Sequence, residues 1–81
     1  MMSSRRIPSN GIEFIKPYGQ KPEFQRALRD ASSQLAEELD ISEPVAKGLL
    51  MSRLTEDRVA QKNMQGAIRL FRDYASADRW Q

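Results

Sequence analysis

Leu35-Ala36-Glu37-Glu38-Leu39-Asp40-Ile41-Ser42-Glu43-Pro44-Val45-Ala46-Lys47-Gly48-Leu49-Leu50 decides how this chain folds. Apolar residues at Leu35 and Leu39 close one helical stripe, and those at Ala46, Leu49 and Leu50 open another. Between them Asp40 and Ile41 interrupt the period. Ser42 can accept a hydrogen bond from a free N–H of the next turn, and Pro44 sits where a missing N–H costs nothing. The stretch therefore reads as the end of one helix, a short capped turn and the start of a second.

Working backward, Phe24, Leu28, Ala31, Leu35 and Leu39 recur every three or four residues, and Pro22 suits a first helical turn. The first helix is expected from Pro22 to Asp40 or Ile41. Working forward, Leu54 completes the buried face of the second helix. Gly48 in its middle weakens it by about 1 kcal/mol relative to alanine, unless another backbone approaches there. Thr55 followed by Glu56 and Asp57 reads as the start of a third helix running to about Ala77: a cap, then two acids at the positive end of the dipole. Its apolar stripe would be Ala60, Met64, Ala67, Ile68, Phe71 and Ala75, widened by Val59, Leu70 and Tyr74. Before Pro22, the prolines, glycines and serines leave room for no long element. The expectation is all-α: an irregular or flexible arm over residues 1–21, pinned through Ile12, Phe14 and Tyr18 or not at all, then a three-helix domain over 22–81.

The 81 residues fit one domain, and a chain this short buries only ~60% of its unfolded surface. Pairing with itself or with a partner is expected on that ground. The absence of cysteine and histidine removes disulfides, the usual zinc sites, thiol nucleophiles and imidazole acid–base chemistry. No convergent carboxylates and no glycine-rich phosphate loop appear, so neither an enzyme nor a cofactor, metal or small-molecule site is expected. No apolar run reaches the ~18 residues of a membrane span, which makes a cytoplasmic protein the default expectation.

Charge is segregated. Residues 1–29 carry six bases and two acids, residues 30–46 five acids and no base, and residues 47–81 seven bases and four acids. If the third helix ran unbroken from Thr55, Arg58, Lys62, Arg69, Arg72 and Arg79 would fall within an arc of about 100° at ~100° per residue. Such a row suits phosphate backbones. The first helix has the opposite bias to its dipole, with Arg26 and Arg29 near the start and Glu37, Glu38 and Asp40 near the end. Something outside that helix should offset the acids.

The central stretch resembles the helix-turn-helix motif of DNA-binding proteins. Leu35 and Ala36 match the apolar–alanine pair of its first helix, and Leu39 matches the apolar residue before the turn. Ile41, Ser42 and Leu49 fit later positions. Asp40 stands where the family carries glycine, and Ala46 where valine is commoner. The resemblance implies that Ser42–Leu54 would be the recognition helix, with Glu43, Pro44, Lys47, Gly48 and Met51 facing outward. Of these only Lys47 belongs to the residue types that usually read bases.

Two functions are expected from these features. One is a small DNA-binding transcriptional regulator, dimeric, using Lys47, Arg53, Arg58, Lys62, Arg69 and Arg72, with Arg5 and Arg6 trailing along the backbone. The other is a protein-interaction module, an adaptor or inhibitor of the kind mobile elements encode. It would dock on a larger complex through Glu37, Glu38, Asp40, Met51, Tyr74 and Trp80.

Overall fold

Asp40 is the one non-glycine residue with a positive φ among those described (φ 57°, ψ 50°), and it ends the first helix. A computed structural model describes residues 17–80; the expectations for Arg5, Arg6, Ile12 and Phe14 lie outside them. Helix α1 spans Pro22–Leu39, α2 spans Glu43–Glu56 and α3 spans Met64–Tyr74. Short 3-10 turns occupy Ala60–Lys62 and Ala77–Trp80. No strand occurs among the described residues, and none of their helices is long and apolar enough to cross a membrane.

The first connection is built locally. Asp40 and Ile41 both donate their backbone N–H to Ala36 O, satisfying a carbonyl the helix end would otherwise leave free. The left-handed backbone this requires is one that aspartate tolerates better than most residues. Ser42 Oγ then accepts from Val45 N at 3.4 Å, and α2 begins.

The second connection departs from the sequence expectation. Thr55 does not cap a third helix: it lies inside α2, its hydroxyl donating to Ser52 O at 2.8 Å. The chain breaks at Asp57, whose Oδ1 accepts from Val59 N at 3.1 Å and Ala60 N at 2.9 Å. The cap of α3 is Asn63, whose Oδ1 accepts from Gly66 N at 2.7 Å. The helix ends at Tyr74 rather than Ala77, so the expected single long helix is a 3-10 turn and a shorter α-helix separated by the extended Asn63.

Gln61 makes this break possible. It is 1% exposed, and its Nε2 donates to Leu54 O at 3.0 Å and Thr55 O at 2.8 Å, two carbonyls at the end of α2. Tyr18 Oη donates in turn to Gln61 O at 2.7 Å. Burial raises the Tyr18 hydroxyl above its ordinary pKa. Tyr18 thereby belongs to the core, its ring 5.2 Å from Phe24, which stands 5.4 Å from Phe71.

The core forms where α1 lies against both other helices. Phe24, Leu28, Ala31 and Leu35 meet Ala46, Leu50 and Leu54 on one side and Ala67 and Phe71 on the other. These are the stripes expected from the period. Leu39, Leu49, Met64 and Tyr74, also expected in these stripes, are half-buried at the edge of the core, and Val59, likewise expected there, is 78% exposed. Gly48 has open space around it, so no backbone approach among the described residues explains it. The close approach is at Gly66 instead, where a Cβ would stand 3.0 Å from Ala60 O.

Candidate nucleic-acid interface

The outward face of α3 follows from its buried one. Ala67, Ile68, Leu70, Phe71 and Ala75 turn inward, leaving Gln65, Arg69, Arg72 and Asp73 exposed on the opposite side. Arg69 and Arg72 are three residues apart and so share a face. Together with Arg79 and the second connection they border an open groove of about 920 Å³, with Leu70 and Val59 among its apolar lining.

The groove also contains two acids, and both are already engaged. Asp57 caps the 3-10 turn through its two backbone hydrogen bonds. Asp73 pairs with Arg79 at 3.0 Å. No carboxylate of the described residues pairs with Arg69 or Arg72. The groove therefore offers two uncompensated guanidinium groups, each with five donors in a planar fork suited to phosphate oxygens.

The continuous basic row expected from the sequence is not present. Arg58 lies in the turn before the 3-10 segment and Lys62 within it, both exposed, so neither shares a helix with Arg69. Arg79 sits in the C-terminal turn, its guanidinium 5.2 Å from the Tyr74 ring centroid. The reason is the break itself: an angular row is meaningful only along one unbroken helix. Arg58 borders a smaller groove beside the first, sharing Asp57, Val59, Leu70 and Tyr74 with it.

Arg53 is engaged on the other side of the same region. Its guanidinium lies 4.9 Å from the Trp80 ring centroid and 5.5 Å from that of Tyr74, and Nη1 reaches Glu56 at 3.4 Å. Tyr74 and Trp80 pack edge to face at 5.4 Å, and Trp80 Nε1 donates to Tyr74 O at 2.7 Å. These aromatics, expected as anchors for a partner, are half-buried and hold the chain's own C-terminal turn.

Helix α2 is rolled relative to the expected recognition face. Ala46, Leu50 and Leu54 point inward, so the opposite side centres on Val45, Gly48 and Ser52, with Val45 53% exposed. Lys47 and Glu43 are exposed but border a groove against Arg29 and Gln25 of α1. Met51, expected outward, is half-buried against the core. The signal for this roll was the position of Ala46, four residues before Leu50; Leu49 and Met51, both apolar, obscured it.

The acidic end of α1 divides in two. Glu38 Oε1 accepts from Ala77 N at 2.7 Å, so the offset for one misplaced acid is a backbone N–H of the C-terminal turn rather than a basic side chain. Glu37 and Asp40 remain exposed. Asn63, Gln65 and Val59 border the candidate groove and were missed from sequence. Only the cap potential of Asn63, three residues before Gly66, could have pointed to one of them. No group of three acids that could hold a metal ion occurs among the described residues. Comparison with protein-family models, with characterised proteins and with solved structures finds no match to this chain.

Proposed function

We propose that this chain is a small DNA-binding regulatory protein that grips phosphates through the exposed face of α3. The observation that carries this reading is the imbalance in the α3 groove: its acids are spent on local contacts, while Arg69 and Arg72 have no carboxylate partner among the described residues. Arg58 extends the positive surface along the adjoining groove. Contacts of this kind position a protein on a duplex and carry no sequence information. Helix α2 adds little readout, since its outermost side chains are Val45, Gly48 and Ser52 and Lys47 lies to one side. The binding is accordingly electrostatic, salt-sensitive and broad in sequence.

The test is a titration of duplex DNA at two salt concentrations. Arg69→Ala and Arg72→Ala each weaken binding on every duplex and each lower the slope of log affinity against log salt by roughly 0.9. Lys47→Ala, which lies off the proposed face, leaves affinity and salt slope close to those of the parent.

One observation favours a second reading, a protein-interaction module. Val45, a large apolar side chain left exposed early in α2, follows within eight residues of the exposed acids Glu37 and Asp40. Equally feeble DNA binding by the parent and both arginine variants selects that reading, with Val45, Glu37 and Asp40 as its docking edge.

A further inference from the structure

A second groove, of about 420 Å³, runs between α1 and α3, with two acids and one arginine on its α1 side and a single arginine on its α3 side. Its floor is made of small or branched apolar side chains, Ala27, Ala31, Ile68 and Ala75. On the α1 side stand Glu23 and Asp30, exposed and seven residues apart, so they repeat on nearly the same line of the helix. Glu37 continues that line for a total of ~21 Å at 1.5 Å per residue. Arg26 also borders the groove, but at ~100° per residue it lies some 40° further round, on the outer side of that line. On the α3 side stand Arg72 and the neutral Gln65. No ion pair closes across the groove: the pairs among the described residues are Arg53–Glu56 and Arg79–Asp73.

Acids on one side and an arginine on the other are self-complementary under a two-fold rotation. When two copies meet face to face about an axis over the groove, the acids of each lie on the α3 arginine of the other. The small floor residues let the second copy come close. We propose that this face is a symmetric pairing surface for a second copy of the chain, with Asp30 of each copy opposite Arg72 of the other. Arg72 and Gln65 border both grooves, so in such a pair the second copy takes Arg72 and Arg69 remains in the first groove. The proposal rests on the charges of this groove and not on the DNA reading, with which it shares Arg72.

Charge reversal tests it by sedimentation of the full chain at low salt, without DNA. The parent shows a concentration-dependent species of twice 9.3 kDa in the range of roughly tens to hundreds of micromolar, weakened by added salt. Asp30→Arg alone and Arg72→Glu alone each set like charges against each other at two symmetric points, and each weakens pairing by about tenfold or more. Mixing these two variants restores the pair, because both contacts then join opposite charges across the interface. An intramolecular effect on folding cannot be rescued by mixing. Both positions are exposed, and circular dichroism of each variant should match the parent. Arg69→Ala, which does not border this groove, leaves the pairing unchanged. A parent that stays monomeric up to about 1 mM at low salt overturns the proposal, as does a mixture of the two variants that fails to pair.

Discussion

The two interhelical connections of this chain solve the same problem by different means. Between α1 and α2 three residues suffice: Asp40 and Ile41 close onto Ala36 O, and Ser42 caps α2. Every partner is within five residues. Between α2 and α3 the chain uses Asp57 through Asn63, and the end of α2, closed locally by Asp57 N on Leu54 O, is held further by the side chain of Gln61. That residue is held by Tyr18, forty-three positions earlier in the chain. A connection whose partners are close in sequence can be read from sequence. One whose partners are distant cannot, even when its residues look like familiar signals.

This difference can be broken experimentally, and the largest effect belongs to Gln61. Replacement by leucine removes the side-chain donor to Thr55 O and the second donor to Leu54 O, which keeps Asp57 N, and it also removes the buried, unpartnered Oε1, for a net loss of about 1–2 kcal/mol. Urea unfolding should show it as a lower midpoint at unchanged slope. A change below about 0.5 kcal/mol would mean that the second connection does not rest on this side chain.

Gly48 and Gly66 give the next contrast, with opposite signs. Gly66→Ala forces a Cβ to within 3.0 Å of a backbone carbonyl and should destabilise by roughly 1–2 kcal/mol. Gly48→Ala meets open space and should stabilise by about 0.5–1 kcal/mol through helix propensity alone. Thermal melts of the two variants beside the parent separate these outcomes. If both shift the same way, the close approach at Ala60 is not a constraint.

Capping gives the smallest and sharpest set. Asn63→Ala removes a 2.7 Å bond to Gly66 N and should cost about 1 kcal/mol. Ser42→Ala removes a 3.4 Å bond and should cost about half as much. Thr55→Ala, at the position whose residues most resemble a helix start, should change stability by less than about 0.5 kcal/mol. A Thr55 effect as large as that of Asn63 would restore the sequence reading of this region.

The departure at Thr55 has a specific origin. A hydroxyl followed by two acids satisfies the local rule for a helix start, but the same residues are acceptable at the end of a helix that packs well. Leu54, fully buried, keeps α2 going past the apparent cap. The consequence extends to the candidate site. Arg58 and Lys62 would stand beside Arg69 only on one continuous helix, which the break at Asp57 removes. Arg69 and Arg72 keep their relation because both lie within α3. The acids beside them give no hint in the sequence that they are occupied, since Asp57 is bound by backbone N–H groups and Asp73 by a residue beyond the helix.

The sequence by itself determined that the chain is helical, where α1 lies and α2 begins, and most of the stripes that meet in the core. Periodicity, proline placement and the Asp40–Ser42 turn act over a few residues, and such short-range energies are the same whatever the rest of the chain does. Tertiary structure decided where α3 begins, that Val59 is exposed and Gln61 buried, how α2 is rolled, and which arginines remain without a partner. Those outcomes depend on which carbonyls, rings and carboxylates are brought within about 3 Å of one another by packing of distant segments, and no local pattern encodes that distance.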